Sequence, residues 1–290
     1  MAKQARAIGG RVVAITGGAR GIGKATAAAL VREGATVAIG DIDVALAQST
    51  AEGLGPNVSA YHVDVTRRPS FADFLNSVER DLGPLDVLVN NAGIMPIGSL
   101  LEEDDDTAHR LVDINVHGVI NGVKEALPRM LAHGSGHVVN LASVAGKAGF
   151  PHLATYCATK HAVVGLSESM RAELRGTAIE VTCVMPSLVN TELTSGIRAG
   201  RGVDKVEPED VAAAILGALR EPRFEVYVPR SVGRIKRFFD FLPRPLAEAL
   251  GRVLDADKLM VQADMGTRAA YERRIAQAEE EPERLETSEV

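Results

Sequence analysis

The chain has 290 residues, of which 46% are hydrophobic and 24% charged, a balance typical of a globular protein with a sizeable core. Aromatic residues make up 4% and Trp is absent, so aliphatic side chains must form most of that core. The net charge is −6, and because the last twelve residues carry six Glu against one Arg, the rest is close to neutral, which argues against a nucleic-acid-binding protein.

Two further classes are disfavoured by the cysteines and by the hydropathy of the chain. Cys157 and Cys183 are too few for a disulfide scaffold, and neither stands at a metal-ligand spacing, so we expect no metal site. No apolar run approaches the ~18 residues of a membrane span, and the N-terminus lacks the apolar core of a signal peptide. We therefore expect a cytoplasmic protein.

Strand and helix patterns alternate along most of the chain. Seven short apolar runs predict strands at 11–18, 35–41, 58–65, 85–93, 136–143, 179–187 and 224–229. Helical patterns fall between them at 23–34, 44–54, 69–83, 104–131, 152–175 and 207–220. The strands are continuously apolar rather than alternating, which is typical of a parallel sheet covered on both faces. The pattern predicts a Rossmann-type, doubly wound parallel α/β sheet in one domain, residues 1–229.

The pattern changes after residue 229. Residues 230–268 form a basic and aromatic extension, with five basic residues and one acidic residue between Arg230 and Arg244. This extension could cover a substrate pocket or pack on a neighbouring subunit, readings that we favour over contact with a membrane surface. Residues 269–290 are Glu-rich without apolar periodicity, so we expect them to be a disordered tail.

A glycine-rich turn, "TGGARGIG" at residues 16–23, joins the first strand to the first helix. Gly17, Gly21 and Gly23 would let the backbone turn tightly against a pyrophosphate, and the start of the helix supplies free N–H groups. The spacing is T-G-x-x-x-G-x-G rather than the commoner G-x-G-x-x-G, and such a turn can also serve packing alone.

Asp41 ends the second strand about 20 residues beyond these glycines, where a carboxylate can accept hydrogen bonds from both ribose hydroxyls of NAD and repel a 2′-phosphate. It could instead cap the next helix, a role that Asp43 fills equally well. Arg20, inside the turn, favours NADP instead, because it could pair with the 2′-phosphate of that cofactor. We favour NAD as the cofactor, with NADP as the alternative.

Further short motifs follow the glycine turn in order along the chain. After "TGGARGIG" at 16–23 come "DV" at 64–65, "NNAG" at 90–93, Asn115, Ser143, and "YCATK" at 156–160. With these motifs, the sequence resembles the classical short-chain dehydrogenase/reductase family over about residues 10–230. The resemblance implies a homo-oligomer, a homodimer or homotetramer, that works as an NAD(P)-dependent oxidoreductase on an alcohol or carbonyl group.

The resemblance also implies roles for individual residues. The catalytic residues would be Asn115, Ser143, Tyr156 and Lys160. The cofactor would be held by the glycine turn with Ile22, and further by Asp64, Val65, Asn90, Asn91, Ala92, Gly93, Pro186, Val189 and Thr191, together with Tyr156 and Lys160. The chain departs from the family at Pro186-Ser187, where Pro-Gly is common, which puts the path of the loop over the nicotinamide in doubt.

The chemistry of these residues fits proton and hydride transfer. A tyrosine is a poor base at its usual pKa of about 10, and a nearby cation lowers that pKa. Tyr156 and Lys160 are four residues apart and share one helix face, so we expect Lys160 to lower the pKa of Tyr156 and to hold the nicotinamide ribose. Ser143, at the end of the fifth strand, would orient the substrate oxygen. Asn115, expected inside the long helix, would hold a water that links Lys160 to solvent.

Each of these residues also has an ordinary structural interpretation, since Tyr–Lys pairs at this spacing are common on helix faces, and the case depends on the joint pattern. Cys157 points about 100° away from Tyr156 around the helix. It has no base or metal partner in the sequence, so we interpret it as a packing residue rather than a nucleophile. We interpret His117, His152 and His161 as surface or packing residues.

The candidate substrate residues are mostly apolar. They are Ser143, Met95, Leu188 and Leu193, with Ile94, Ile97 and Ser187 nearby in sequence. No Arg or Lys cluster accompanies them, so we favour a hydrophobic secondary alcohol or ketone over a phosphorylated one, and the loop after the sixth strand as a lid. Two alternatives stay open: an NADPH-preferring carbonyl reductase, and a catalytically silent dinucleotide-sensing protein, which we would expect to have a damaged catalytic set.

Overall fold

The computed structural model describes residues 5–197, 205–243, 245–246 and 260–277. Seven parallel strands form one sheet in the order β3-β2-β1-β4-β5-β6-β7. The strands are β1 (Val12–Thr16), β2 (Thr36–Asp41), β3 (Val58–His62), β4 (Val87–Asn90), β5 (Gly136–Leu141), β6 (Ile179–Pro186) and β7 (Glu225–Val228). The predicted Rossmann-type parallel sheet is confirmed, and its winding direction reverses between β1 and β4, where such sheets bind ligands.

Nine α-helices lie in the described part of the chain. They are α1 (Gly21–Arg32), α2 (Val44–Leu54), α3 (Arg68–Leu82), α4 (Asp105–Val112), α5 (Gly118–His133), α6 (Ala154–Glu173), α7 (Pro208–Arg220), α8 (Arg230–Asp240) and α9 (Met265–Gln277). None of the helices in those ranges combines the length and hydropathy needed to cross a bilayer.

The sheet separates two apolar layers. Val13, Ile15 and Val37 pack on one face beneath α1, α2 and α7, while Ala14 and Leu88 pack on the other beneath α3, α5 and α6. Successive side chains of a strand point to opposite faces, so a strand covered on both sides needs apolar residues at every position. This explains the continuous apolar runs of the sequence.

One predicted helix is interrupted. The sequence predicts a single helix over 104–131, but a π-helical turn, Asp113–His117, separates α4 from α5. Asn115 lies in that turn, is fully buried, and exchanges two hydrogen bonds with the backbone of Ile94, at 2.9 and 3.0 Å. These tertiary bonds stabilise the wider turn, and such π-turns frequently occur at functional sites.

The C-terminal extension also differs from expectation. Helix α8 packs on β7, where Gly233 lies against the Tyr227 ring, and it exposes Ile235 and Phe238. The sequence predicts disorder from residue 269, yet α9 forms a helix because Arg268 and Tyr271 are buried against the loops that follow β4 and β6. The remainder of the predicted tail, 278–290, lies outside the described residues, as do residue 244 and residues 247–259 of the extension.

Candidate active site

The glycine turn after β1 is compact. Gly17 and Gly21 have φ of +62° and +52°, a left-handed conformation that favours glycine. A Cβ at Gly23 would lie 2.2 Å from the carbonyl oxygen of Gly17, so no larger residue fits there without displacing the turn. The side chain of Asn91 donates to the carbonyls of Thr16 and Gly17 at 2.9 and 3.0 Å, which ties the turn to the segment after β4.

Asp41 is buried beside the turn. Its two carboxylate oxygens accept from the backbone N–H of Ala19 at 3.1 Å and of Asp43 at 3.2 Å. The carboxylate therefore joins the end of β2 to the glycine turn, and each oxygen keeps a second lone pair. Asp43, not Asp41, caps α2, because its side chain accepts from the N–H of Leu46 at 3.0 Å.

Arg20 is already paired with two carboxylates. Its guanidinium lies 2.8 Å from Asp43 and 3.5 Å from Glu192. A 2′-phosphate would have to compete with both acidic groups for this cation. The Arg20 side chain is about one third exposed, so these pairs stabilise the fold only modestly, but they fix where the cation lies.

The four predicted catalytic residues are buried in one region. Tyr156 and Lys160 lie one turn apart on α6, with the Lys160 ammonium 5.7 Å from the centre of the Tyr156 ring. The Ser143 hydroxyl lies close enough to the Tyr156 phenol to lower the pKa of Tyr156, accepts from the N–H of Ala145 at 3.1 Å, and lies 3.4 Å from the carbonyl oxygen of Pro186. The predicted base, the predicted substrate-orienting hydroxyl and the Lys160 ammonium therefore meet at the carboxyl ends of β5 and β6.

Asn115 connects the catalytic helix to the segment after β4. Besides its bonds to Ile94, its side chain donates to the Thr159 hydroxyl on α6 at 3.2 Å. A Cβ at Gly93 would lie 3.0 Å from the Asn115 oxygen and 3.7 Å from the Lys160 ammonium, so both groups flank the Gly93 backbone. The structure thus gives Asn115 a positioning role, and the proton relay through water stays a prediction.

Burial controls the ionisation of the catalytic pair. It lowers the pKa of Lys160 to about 8, and the ammonium donates to the carbonyl of Leu141 at 3.0 Å. Burial also raises the pKa of Tyr156 above its ordinary value, although the nearby Ser143 hydroxyl acts in the opposite direction. Desolvation of the phenolate outweighs the other influences in this arrangement, and a lowering of the Tyr156 pKa by Lys160 stays a prediction.

The other predicted cofactor residues line the same edge of the sheet. The Asp64 carboxylate accepts from the N–H and hydroxyl of Thr66 at 2.9 and 2.7 Å, and Val65 is buried beside it. Asn90 donates to Asn140 at 2.9 Å and so joins β4 to β5. Thr191 lies opposite Gly21, with its methyl 3.3 Å from the position of a Cβ there. The remaining predicted residues on this edge are Ile22, Ala92, Gly93, Pro186 and Val189.

Ser187, the departure from the usual Pro-Gly, continues the sheet. Its N–H donates to the carbonyl of Val228 at 2.8 Å, so the chain after Pro186 stays in line with β7. Its hydroxyl oxygen is buried and has no hydrogen-bond partner among the described residues. A buried hydroxyl without a partner is costly, and a polar group of a bound cofactor could satisfy it.

The predicted substrate residues are brought together with the catalytic tyrosine. Met95, Leu188 and Leu193 belong to one apolar cluster with Tyr156, which also includes Ile94, Ile97, Leu111, Phe150, Leu153, Ile197 and Met260. The sequence reasoning missed Arg268 and Tyr271 of α9, which contact the same segments. The one signal for α9 is Asp264, whose carboxylate caps the helix by accepting from the N–H of Gly266 and Thr267 at 2.9 and 3.3 Å.

Cys157 belongs to the same apolar cluster. It is buried, and burial raises the pKa of its thiol, the opposite of what a reactive thiolate requires. His117 pairs with Asp113 at 2.8 Å, and His161 bonds the carbonyl of Cys157 at 2.8 Å. In the ranges that the structure describes, no three His, Cys, Asp or Glu side chains converge as metal ligands would.

Comparison with known proteins identifies the family. Residues 11–202 match the family model "short chain dehydrogenase". A solved short-chain dehydrogenase/reductase from Burkholderia phymatum, in complex with NAD, superposes with a TM-score of 0.74 at 27% identity, covering 80% of this chain and 93% of that one. Human 17-beta-hydroxysteroid dehydrogenase 13 is 30% identical over 254 residues, covering 86% of this chain and 84% of its own length.

Another relative is much longer than this chain. Glycine betaine reductase ATRR of Emericella nidulans is 36% identical over 227 residues, which cover 74% of this chain but 18% of that protein. The fold, the site and the family match agree, and the chain belongs to the short-chain dehydrogenase/reductase family. It is accordingly an oxidoreductase of the class that acts on CH–OH groups with NAD(P).

Proposed function

We propose that this protein interconverts a hydrophobic secondary alcohol and its ketone by hydride transfer to or from NAD. The observation that carries the proposal is the arrangement around Tyr156. The centre of its ring lies 5.7 Å from the Lys160 ammonium, one helical turn away, and its phenol lies near Ser143, at the sheet edge that also carries the glycine turn. These are the groups that proton transfer to and from an alcohol oxygen requires.

The residues at the edge of the sheet fit a dinucleotide. The glycine turn leaves no room for side chains where the pyrophosphate would approach, Asp41 retains acceptor capacity for ribose hydroxyls, and the Ser187 hydroxyl is a buried group without a partner among the described residues. When bound, the nicotinamide supplies the hydride acceptor or donor. Asp41 would hold the adenosine ribose, and Lys160 would hold the ribose next to the nicotinamide.

The chain's own residues would handle the proton. Ser143 bonds the substrate oxygen and fixes its direction, while Tyr156 removes the hydroxyl proton during oxidation or returns it during reduction. Lys160, whose pKa of about 8 keeps it charged at lower pH, stabilises the phenolate that forms on Tyr156. Asn115 keeps the segment after β4 and the helix α6 in register, so that Lys160 and Tyr156 stay aligned.

We favour NAD over NADP because neither Asp41 nor Arg20, the two residues expected near the 2′-position, favours a phosphate there. The Asp41 carboxylate would repel a 2′-phosphate, and Arg20, the cation that could attract one, is paired with Asp43 and Glu192. The Burkholderia phymatum neighbour, which is in complex with NAD, supports the same choice. An NADPH-preferring reductase stays the second candidate, since rotation of Arg20 would free its charge.

The apolar cluster around Tyr156 supports a hydrophobic substrate. Its members carry no formal charge, and the match to a hydroxysteroid dehydrogenase is in keeping with a large apolar alcohol. A silent dinucleotide sensor is disfavoured because Asn115, Ser143, Tyr156 and Lys160 are all present and adjacent. We expect the enzyme to be a homodimer or homotetramer, which light scattering would establish.

The proposal is tested by a substrate panel. Hydrophobic secondary alcohols and ketones of increasing size, with phosphorylated and short polar alcohols as controls, are assayed by the absorbance of reduced nicotinamide with each cofactor. We expect turnover of hydrophobic members with NAD or NADH. Turnover confined to charged substrates would contradict the substrate class, and a preference for NADPH would contradict the cofactor assignment.

A further inference from the structure

The catalytic residues are closed off from solvent. Ser143, Tyr156 and Lys160 are 9%, 7% and 6% exposed, and Asn115 is fully buried. A substrate oxygen must touch both the Ser143 hydroxyl and the Tyr156 phenol for the proposed reaction. Some part of the protein that covers these groups must therefore move aside before a substrate can enter.

Helix α9 lies next to this region. Tyr271, near its centre, is buried close enough to Tyr156 to contribute to the raised pKa of the Tyr156 phenol. Its hydroxyl accepts a hydrogen bond from the N–H of Met95 at 2.8 Å, in the segment that carries the predicted substrate residues. Met260, just before α9, completes the apolar cluster around Tyr156.

A single buried cation fastens α9 to the rest of the molecule. Arg268 is fully buried, and its guanidinium donates to the carbonyls of Met95, of Leu193 at 2.7 Å and of Ser195 at 3.3 Å. Glu272, one turn further along α9, accepts from it at 2.6 Å. The same guanidinium thus joins the segment after β4 to the loop after β6, the two segments that would enclose a substrate.

Further contacts follow the same pattern. The backbone of Asp264, at the start of α9, donates to the carbonyl of Gly196 at 2.9 Å, and Arg274 pairs with Glu192. Arg110 on α4 donates to the carbonyl of Ile275 at 2.7 Å, near the end of α9. These attachments are hydrogen bonds and ion pairs to loops and to one helix surface, and α9 contributes no residue to the two apolar layers that hold the sheet. Each hydrogen bond contributes little net free energy to folding. We therefore expect that α9 can separate from the rest of the protein without disrupting either apolar layer.

We propose that α9 is a detachable cover of the substrate site and that the hydrogen bonds of Arg268 hold this cover closed. Tyr271 is the residue of the cover that determines which substrates are accepted. Tyr271 has the position for this, since its hydroxyl contacts the backbone of Met95, a member of the apolar cluster around Tyr156. Its hydroxyl accepts from Met95 and donates no hydrogen bond within the described residues, so it can donate to a polar group of the substrate. The proposal rests on the proposed function, because the cover governs access to Tyr156.

The opening of α9 can be followed without any substrate. The amide hydrogen of Met95 is bonded to Tyr271, so its exchange with deuterium reports whether α9 is in place. Selective 15N-methionine labelling resolves this amide by NMR, and the buried Met130 and Met185 serve as internal references. In Arg268→Ala we expect exchange at Met95 to accelerate by about tenfold or more, with Met130 and Met185 unchanged.

The matched control is Arg273→Ala, which removes an exposed arginine from the same helix. Within the described part of the chain, the Arg273 side chain hydrogen-bonds to Ala269 of α9 and to no residue outside that helix. Its Met95 amide should exchange at the wild-type rate. Equal Met95 exchange rates in Arg268→Ala and Arg273→Ala would contradict the proposal that Arg268 holds α9 closed. Accelerated exchange at Met130 and Met185 as well would also overturn it, because α9 would then be part of the global fold rather than a cover.

A second pair of variants covers the case in which Arg268→Ala fails to fold. Gly196 and Gly134 have nearly the same φ, +72° and +75°, so alanine strains both equally. A Cβ at Gly196 would lie 2.3 Å from the Asp264 carbonyl at the start of α9, whereas nothing lies within 4 Å of one at Gly134. We expect faster Met95 exchange in Gly196→Ala and not in Gly134→Ala, and the reverse result would contradict the proposal.

Specificity is measured separately with Tyr271→Ala and Tyr271→Phe. We expect Tyr271→Ala to shift the ratio of kcat/KM between bulky and small substrates toward the bulky ones by about tenfold or more. Tyr271→Phe should change KM more than kcat, and NAD affinity should stay constant in both. An unchanged ratio would remove Tyr271 from this role. If no substrate is turned over at all, the proposed function fails, while the exchange experiment still decides whether α9 opens.

Discussion

The ammonium group of Lys160 is buried. Among the described residues, it donates one hydrogen bond, to the carbonyl of Leu141. Burial of a charge costs free energy, and the lowered pKa of about 8 measures that cost. Asp41, by contrast, is buried with both carboxylate oxygens bonded to N–H groups. The burial of Lys160 therefore opposes folding, whereas the hydrogen bonds of Asp41 support the fold.

Lys160→Met should therefore stabilise the protein while it abolishes turnover. Below pH 8 Lys160 is charged in both states, so the folded state bears the full cost of burial, and between pH 8 and 10.5 the folded state loses its proton first and the cost disappears. We expect the free energy of unfolding at pH 7 to rise by about 1–3 kcal/mol, less at pH 10. Urea titration measures this, with the exposed Lys124→Met as control, and a less stable variant at pH 7 would contradict it.

Asp41→Ala should weaken NAD binding and relieve discrimination against NADP. The variant loses the acceptors for the ribose hydroxyls and the charge that repels a 2′-phosphate. We expect the ratio of kcat/KM for NADP to that for NAD to rise by about tenfold or more. Asp73→Ala, at an exposed position on α3, is the control. An unchanged cofactor ratio in Asp41→Ala would remove this residue from the role.

At the scale of elements, α6 carries Tyr156 and Lys160 and is positioned by a close backbone contact. A Cβ at Gly146, in the short turn after β5, would lie 2.6 Å from the carbonyl of Lys160 and 2.9 Å from a methyl of Val164. The sheet end that carries Ser143 and the helix that carries Tyr156 can therefore approach only because residue 146 lacks a side chain. This contact sets the distance between the two hydroxyl groups.

Gly146→Ala should displace α6 and impair chemistry more than cofactor binding. Overpacking of this kind costs about 1–3 kcal/mol of stability. We expect kcat to fall by about tenfold or more, because small displacements of catalytic groups are costly, with a smaller change in NAD affinity. Gly53→Ala on α2, where a Cβ would meet nothing within 4 Å, should leave kcat unchanged. Equal kcat values in the two variants would contradict the account.

The elements differ in how far their sequences predict them. Buried strands need apolar residues at every position, so the sequence predicts β1 to β7. The ordered motifs place Ser143 just beyond the end of β5, and Tyr156 and Lys160 on α6. The π-turn at Asn115 depends on bonds to Ile94, a residue 21 positions away. Helix α9 depends on Arg268, a residue that patterns assign to the surface but that is buried here among backbone carbonyls of distant loops. Such features arise from tertiary contacts and leave little periodic signal.

At the scale of the whole molecule, stability should depend on one buried histidine. His137, near the start of β5, bonds the Thr182 hydroxyl at 2.8 Å, and burial, with a smaller effect of Arg6, lowers its pKa to about 3. An unfolded histidine binds its proton near pH 6.5, so the folded state loses stability as the pH falls from 6.5 toward 3. The fold should therefore weaken in mild acid.

The measurement is the free energy of unfolding at pH 7.5 and pH 5. At pH 5 we expect this histidine to cost about 2 kcal/mol, the difference between its folded and unfolded ionisation over that interval. His137→Gln, which keeps a side chain able to bond Thr182, should lose that part of the pH dependence. The exposed His133→Gln should retain it. An identical pH dependence in wild type and His137→Gln would contradict this assignment.

The central claim is that Tyr156 is the acid and base of an NAD-dependent oxidoreductase, and Tyr156→Phe tests it most directly. The variant keeps the ring in its apolar cluster and removes only the hydroxyl, which lies near Ser143. We predict that kcat on the best alcohol of the panel falls by about 10²–10⁴-fold, the usual contribution of a general acid–base group, while the Kd for NAD measured by calorimetry stays within about twofold. Turnover close to the wild-type rate in Tyr156→Phe would contradict the account.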